Sequence, residues 1–270
     1  MKAIDFHTHA FPDSLAARAL AALEAQPGNA KAVLDGTIGS LLRSMDEAGI
    51  GTSVVACIAT KPEQFPAILK WCQSIASERI VPFPSFHPFD PEALARIDAV
   101  REAGLKGIKL HPYYQGFDLD DPRLVPIYER LQDSGLLHLS HTGFDTAFPR
   151  VRKCDAVRVL RLLDRFPRLR LVTSHMGGWM DWGETRRHLL GRPIYMEISY
   201  SMEFMTDAEA REILLGHPQE YLLFGTDSPW SSQKAAVERV RSLGLDAERE
   251  AALLWQNARR LLGLGAEAVE

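Results

Sequence analysis

Two histidines one residue apart close an apolar run near the start of the chain, KAIDFHTHAF (2–11). Side chains alternate between the faces of a strand. His7 and His9 are therefore expected to point the same way, with Asp5 and Ala3 below them and Ile4 and Phe6 opposite. Neutral imidazole is the commonest protein metal ligand, and this spacing suits a ligand pair; a lone H-x-H also suits ordinary surface or core histidines. Other ligand-capable or acid–base side chains also end apolar runs: His87, the pair Lys109 and His111, His141, His175 and Asp227. Six of the nine histidines stand at such ends, a bias that scattered core histidines would not show.

The elements that must position them alternate. Strand patterns occupy 2–7, 52–59, 79–86, 105–111, 136–141, 169–175, 194–199 and 221–227. From the second onward they start at intervals that leave room for one helix and two short loops. Between Thr37 and Gly49, apolar Ile38, Leu41, Leu42, Met45 and Ala48 follow a helical period, with Thr37 as N-cap and Gly49 as stop. Pro91 opens another helix that ends at Gly104, Val157–Leu163 precedes Phe166-Pro167, and a last helix runs from about 246 to 262. Eight strand–helix units predict a parallel sheet closed into a single (β/α)₈ TIM barrel over residues 1–270, class α/β. An open doubly wound sheet would call for a glycine-rich loop after the first strand, and HTHAFPDS has none. The first interval is the longest, so 10–36 is expected to be an elaborated loop beside the mouth. In such a barrel the C-terminal strand ends carry the chemistry, and alternation puts His175 in line with Leu171 and Thr173, and Asp227 in line with Leu223 and Gly225. His138 and Ser140 fall on the outer face of the fifth strand without an evident reason.

Composition narrows the field. A 46% hydrophobic, 24% charged chain with net charge −4 is ordinary globular material with no electrostatic case for nucleic acid. No apolar run is long enough to span a bilayer, and no secretory signal is visible. The three scattered cysteines, Cys57, Cys72 and Cys154, read as reduced thiols of a cytoplasmic protein. A small-molecule substrate is expected, with neither membrane nor nucleic acid as partner; a homodimer is compatible.

The motifs DFHTH, GIKLHP, LSHTG, SHMGG and LLFGTDSPW, in that order, with NARRLLG at 257–263, resemble the amidohydrolase superfamily. The closer likeness is to its amidohydrolase-related branch, which holds metal-dependent hydrolases and decarboxylases similar to aminocarboxymuconate-semialdehyde decarboxylase. The resemblance covers essentially the whole chain and is specific to fold and metal, not to substrate. It implies His7, His9, His141 and Asp227 as metal ligands, with Lys109 and His175 as further ligand candidates. Asp227 and His175 are the implied catalytic groups. The implied metal is one Zn²⁺, or two, with Mn²⁺ or another divalent ion as alternatives.

Three roles are open for Lys109: a carbamate bridging two metals, an ammonium holding a substrate carboxylate, or an ion-pair partner of Glu197. His111, Tyr113, Trp179 and Trp230 are candidate substrate contacts; with Tyr114 they form an aromatic wall or simply pack the loops. His87 and His111 each precede a proline and suit the mouth without touching metal. Asp5 is expected to orient a ligand from below or to make a structural hydrogen bond. The leading functional expectation is a metal-dependent hydrolase of an amide, lactone or ester C–N or C–O bond; the alternative is a metal-dependent non-oxidative decarboxylase of an aromatic or unsaturated acid. A non-catalytic metal-binding scaffold is disfavoured by the presence of both Asp227 and His175.

Overall fold

The computed structural model describes residues 2–26, 28 and 30–265; the domain extent expected over 1–270 thus includes residues outside the described ones. Eight parallel strands occupy the eight apolar runs: β1 (Ala3–Thr8), β2 (Ile50–Ala56), β3 (Ile80–Phe83), β4 (Gly107–Leu110), β5 (Leu137–Ser140), β6 (Leu171–Thr173), β7 (Tyr195–Glu197) and β8 (Leu222–Leu223). β1–β3 pair in order, as do β4–β8. Backbone bonds close the two seams, from Lys109 N–H to Pro84 O at 2.9 Å and from Phe6 N–H to Phe224 O at 2.8 Å. The result is the TIM barrel that the alternation of elements predicts. Among the described residues no helix is long and apolar enough to cross a membrane.

The helices are α1 (Asp13–Glu24), α2 (Ile38–Ala48), α3 (Phe65–Ile75), α4 (Ala93–Glu102), α5 (Val125–Ser134), α6 (Ala156–Arg165), α7 (Trp182–His188), α8 (Asp207–Gly216), α9 (Gln233–Ser242), α10 (Ala247–Ala251) and α11 (Asn257–Leu262). α2 starts and stops where its caps require: Thr37 Oγ1 accepts from Ser40 N–H, and Gly49 turns left-handed at φ 70°.

Two apolar layers divide the strand side chains. Ile4, Phe6, Val54, Phe83, Leu139 and Leu223 fill the lower barrel, floored by Leu261 and Leu262 of α11. Ile50, Ile108, Leu110, Met196 and Phe224 face outward against the helices. Toward the C-terminal ends the inward positions turn polar, so a charged cluster sits on a close-packed apolar plug.

Four local departures from simple periodicity matter. First, the register of β1 against β2 slips between Asp5 and Thr8. The slip places Phe6 and His7 on the same, inner side, and Asp5 points outward to Thr226 Oγ1 at 2.6 Å and Gln233 Nε2 at 2.7 Å. Asp5 is thus not stacked beneath His7; it takes the structural hydrogen bonds that tie β1 to β8 and α9, and burial pushes its carboxyl up to about 7 against those bonds. Second, Leu171 packs outward and Val172 inward in β6, the reverse of the expected alignment. His175 still reaches the centre because its own backbone is left-handed, φ 59°, a conformation uncommon outside glycine. Third, the elaborated segment after β1 contains the twelve-residue helix α1. Fourth, the last helix runs over 247–262 as expected but changes its turn in the middle. A π-turn at Ala252–Gln256 separates α10 from α11, and it leaves Leu253 O to accept Phe224 N–H at 3.0 Å, a ladder partner that the short β8 needs.

Candidate metal centre and active-site cavity

The site is best understood through the protons of its imidazoles. His7 Nδ1 lies 2.8 Å from Glu197 Oε1, and His9 Nδ1 lies 2.7 Å from Ala56 O. His175 Nδ1 lies 2.9 Å from Ser199 O, and His141 Nε2 lies 2.8 Å from Phe144 O. Carbonyl and carboxylate oxygens only accept, so each of these nitrogens carries its ring's proton. A neutral ring has one N–H. In a neutral ring the other nitrogen is a lone pair, and these remaining nitrogens, Nε2 of His7, His9 and His175 and Nδ1 of His141, belong to rings that line one cavity. His7 and His141 are held neutral: burial first, then the cationic neighbourhood, pushes both well below the usual histidine range.

Asp227 adds a fifth acceptor. Its Oδ1 is 3.1 Å from His9 Nε2 and 3.5 Å from His7 Nε2. Burial works to raise this carboxyl, and only positive charge or a proton on the ring side facing it, from His7 first and then His9, brings it below the usual carboxylate range; with those ring protons on the far nitrogens, a cation between the three groups would supply that charge. Two imidazole lone pairs and a carboxylate converge with no proton of their own to share. That donor set fits a divalent cation, and fixing ligand tautomers from behind is how protein metal sites are commonly built. His7, His9 and Asp227 offer ligand atoms within 4.8 Å of one another, as do His7, His175 and Glu197.

Glu197 is the hidden anchor. Besides His7 it accepts from His175 N–H at 3.1 Å, Ser199 Oγ–H at 2.9 Å and Ser199 N–H at 2.6 Å. Gly225 makes room for it: a Cβ there would stand 2.5 Å from Glu197 Oε2 and 3.2 Å from the His7 Cβ. Glu197 therefore holds His7, not Lys109 as one sequence reading had it. Lys109 Nζ instead contacts His7 Nε2 at 3.3 Å and Ser174 Oγ at 3.4 Å. Its burial brings the ammonium down to about 8, with Asp227 and Glu197 opposing.

The rings run in succession: His9 to His7 at 5.0 Å between centroids, His7 to His175 at 5.4 Å, His175 to His141 at 4.9 Å, and His141 to His111 at 4.2 Å, stacked. His141 thus meets the other rings through His175, its Nδ1 3.2 Å from His175 Nε2, and forms a third donor group with His111 and Asp145. Asp145 went unnoticed in the sequence because it lies in a loop past β5, where no periodicity marks it. Glu197 had a signal, a carboxylate inside the apolar run IYMEIS.

Trp179, Trp230, Tyr114 and His111 line the cavity above the cluster. Trp179 is fixed by its Nε1–H to Tyr200 O at 3.1 Å, and its backbone lies so close to Gly143, φ 89°, that a Cβ on Gly143 would meet the Trp179 backbone nitrogen. Tyr113 is a correction. It is buried away from the cavity, its hydroxyl donating to Gly143 O at 3.1 Å and Val151 O at 2.7 Å, so it packs loops. His87 is absent from the described lining and sits against Phe89. His138 faces outward and packs its ring on Tyr128 of α5, 5.9 Å between centroids, which accounts for its place on the outer face. The three cysteines are free and buried.

Comparison with known proteins gives the family and the fold. The amidohydrolase family model matches residues 4–264, so the chain belongs to the amidohydrolase family and is an enzyme of that class. No curated protein sequence matches it. An uncharacterized TIM-barrel protein from Bordetella bronchiseptica superposes with TM-score 0.76 at 20% identity, over 97% of this chain and 99% of that one. The 5-carboxyvanillate decarboxylase of Sphingomonas paucimobilis gives 0.73 at 16%, over 98% and 99%. A Pseudomonas putida protein provisionally assigned as a 2-pyrone-4,6-dicarboxylic acid hydrolase gives 0.71 at 20%, over 98% and 99%. At these identities the likeness is one of fold.

Proposed function

We propose that this amidohydrolase-family enzyme hydrolyses a C–N or C–O bond of a small amide, ester or lactone, using a divalent metal, zinc first, held by His7, His9 and Asp227. The observation that carries the reading is the convergence of His7 Nε2, His9 Nε2 and the Asp227 carboxylate, with the opposite nitrogen of each ring set against an oxygen acceptor. Nitrogen donors with one carboxylate suit Zn²⁺ with a position left open. A metal bound there supplies Lewis acidity, activating water near neutral pH and polarising the scissile carbonyl. Asp227 Oδ is placed to take the proton that the attacking water gives up. His175 Nε2, at the same cavity floor, has its ring's proton on the opposite nitrogen, so it would take the water-derived proton from Asp227 and hand it to the leaving nitrogen or oxygen.

A second reading, non-oxidative decarboxylation, is favoured by one feature. Lys109 Nζ lies on the cavity floor beside His7, where it would hold a substrate carboxylate, and the Sphingomonas neighbour is a decarboxylase. There Asp227 or His175 would take a proton from water and deliver it to the carbon that loses CO₂. The experiment combines elemental analysis with a screen of lactones, esters and amides alongside hydroxybenzoates, monitoring CO₂. About one metal per chain and hydrolytic turnover are expected. CO₂ release without hydrolysis establishes the second reading, and a protein that takes up no metal on reconstitution removes both.

A further inference from the structure

We infer that the outer part of the cavity is a slot for a neutral, extended hydrocarbon group, so that the substrate of the proposed hydrolysis carries an alkyl chain on its amide, ester or lactone. This deepens the hydrolase reading and rests on it.

The cavity measures about 480 Å³, within the range of small-molecule sites. Its charged side chains among the described residues are Lys109, Asp145 and Asp227, all belonging to the polar floor or its edge. No arginine or glutamate appears in the described lining, so an anionic or cationic tail would find no partner along the walls.

Those walls are two helix faces. α1 contributes Leu15, Ala19 and Leu23, and α3 contributes Ala67, Ile68 and Trp71. The spacing on α1 is i, i+4, i+8, one stripe on one side of a helix. α1 buries a different pair, Ala16 and Leu20, in the protein. Its stripe toward the cavity is therefore additional to what roots the helix, and Leu15 remains 41% exposed. Eight residues of helix make the wall roughly 12 Å long. Alanines at 19 and 67 set a width that larger side chains would close. The amide oxygen at this end of α3 is already engaged, since Gln64 Oε1 accepts from Thr60 N–H at 2.7 Å and Lys61 N–H at 3.1 Å. The slot is continuous with the metal-binding floor, so what covers these apolar walls is the non-reacting end of the substrate.

Binding without chemistry supplies the first test. A series of 1-alkanols from butanol to dodecanol is titrated into the metal-loaded enzyme and followed by tryptophan fluorescence. Affinity should rise roughly three- to fourfold per methylene and level off when about 12 Å of chain is accommodated. Ala19→Trp and Ala67→Trp should bring that plateau to shorter chains; both positions are partly or fully exposed, and circular dichroism checks the fold. Should either variant fail to fold, the parent's series decides alone. A flat series, or an unchanged plateau in both folded variants, overturns the slot. The second arm measures kcat/KM on alkyl lactones and esters of matched lengths. Chain-dependent alkanol binding with no hydrolysis of any member keeps the slot and removes the hydrolase reading; hydrolysis indifferent to chain length keeps that reading and removes the slot.

Discussion

His141 Nδ1 and His175 Nε2 face each other across 3.2 Å, and the proton of each ring is committed elsewhere, to Phe144 O and Ser199 O. Two lone pairs at that separation repel unless a cation lies between them or one ring is protonated. Burial, then the neighbouring His111 and His175, hold His141 neutral, and a metal ion between the two nitrogens would relieve the repulsion without a second proton on either ring. His141→Ala and His175→Ala should each weaken metal retention against a chelator by about tenfold or more, and the double variant should lose little beyond either single one. Losses that multiply would show that the two rings act independently.

Asp227 separates binding from turnover. Asp227→Asn keeps the side-chain shape and removes both the charge and the proton acceptor. His7 and His9 keep their tautomers, because these are set by Glu197 and Ala56 O, not by Asp227. Metal should therefore remain at saturating supply, while kcat falls at least about 100-fold on whichever substrate is turned over. Near-normal kcat at normal metal content would make the aspartate structural and move the proton chemistry to His175.

Much of this was legible in the chain because both signals are periodic. A parallel barrel strand is apolar on both faces until its C-terminal end, so a histidine or aspartate there stands out, and caps such as Thr37 and Gly49 mark α2 directly. What failed depended on backbone detail. Strict alternation misplaced Asp5, since a register slip at Phe6–His7 costs the sequence no visible residue. It also aligned Leu171 with His175, where a left-handed residue reverses the sense. Helix α1 is a different case: DSLAARALAALE is rich in strong helix formers, and a loop reading of 10–36 underweighted propensity. Tyr113 and Tyr114 are adjacent and chemically alike; which of them meets the cavity depends on the turn after β4, whose geometry a pattern of residue types does not carry.

His138 should make the protein acid-sensitive in a way that metal does not. Both ring nitrogens are buried without a hydrogen-bond partner among the described residues, and burial, assisted by Lys109, lowers the ring to about 3. The unfolded chain takes up its proton near 6.5, whereas the folded one refuses it until about 3. Stability is thus full above pH 6.5 and declines as pH falls, by up to about 1.4 kcal/mol per unit, or about 2 kcal/mol by pH 5. His138→Leu should flatten the acid limb by about that amount. Urea unfolding of both proteins at pH 7.5 and pH 5, at equal metal loading, measures it; parallel losses would mean that His138 is not the group responsible.

Glu197 offers the sharpest check on how the site is built. All four of its described hydrogen bonds are donated to it, by His7 Nδ1–H, His175 N–H, Ser199 Oγ–H and Ser199 N–H. Glu197→Gln fits the same volume, yet must turn an NH₂ toward one of those donors. Placed at the Oε2 position, the amide opposes Ser199 N–H across 2.6 Å. Placed at the Oε1 position, it forces His7 to accept at Nδ1, which moves the ring proton to Nε2 and removes a ligand lone pair. Neither arrangement is free of cost, since an unsatisfied buried polar group costs about 1–3 kcal/mol. The variant should therefore show a lowered thermal midpoint and a metal affinity reduced about 10–100-fold, although Glu197 is assigned no bond to the metal held by His7, His9 and Asp227. Chelator competition and calorimetry on the same samples read both quantities. If the affinity were unchanged while the midpoint fell, Glu197 would be a packing residue and the His7 tautomer would be set by Ser199 instead.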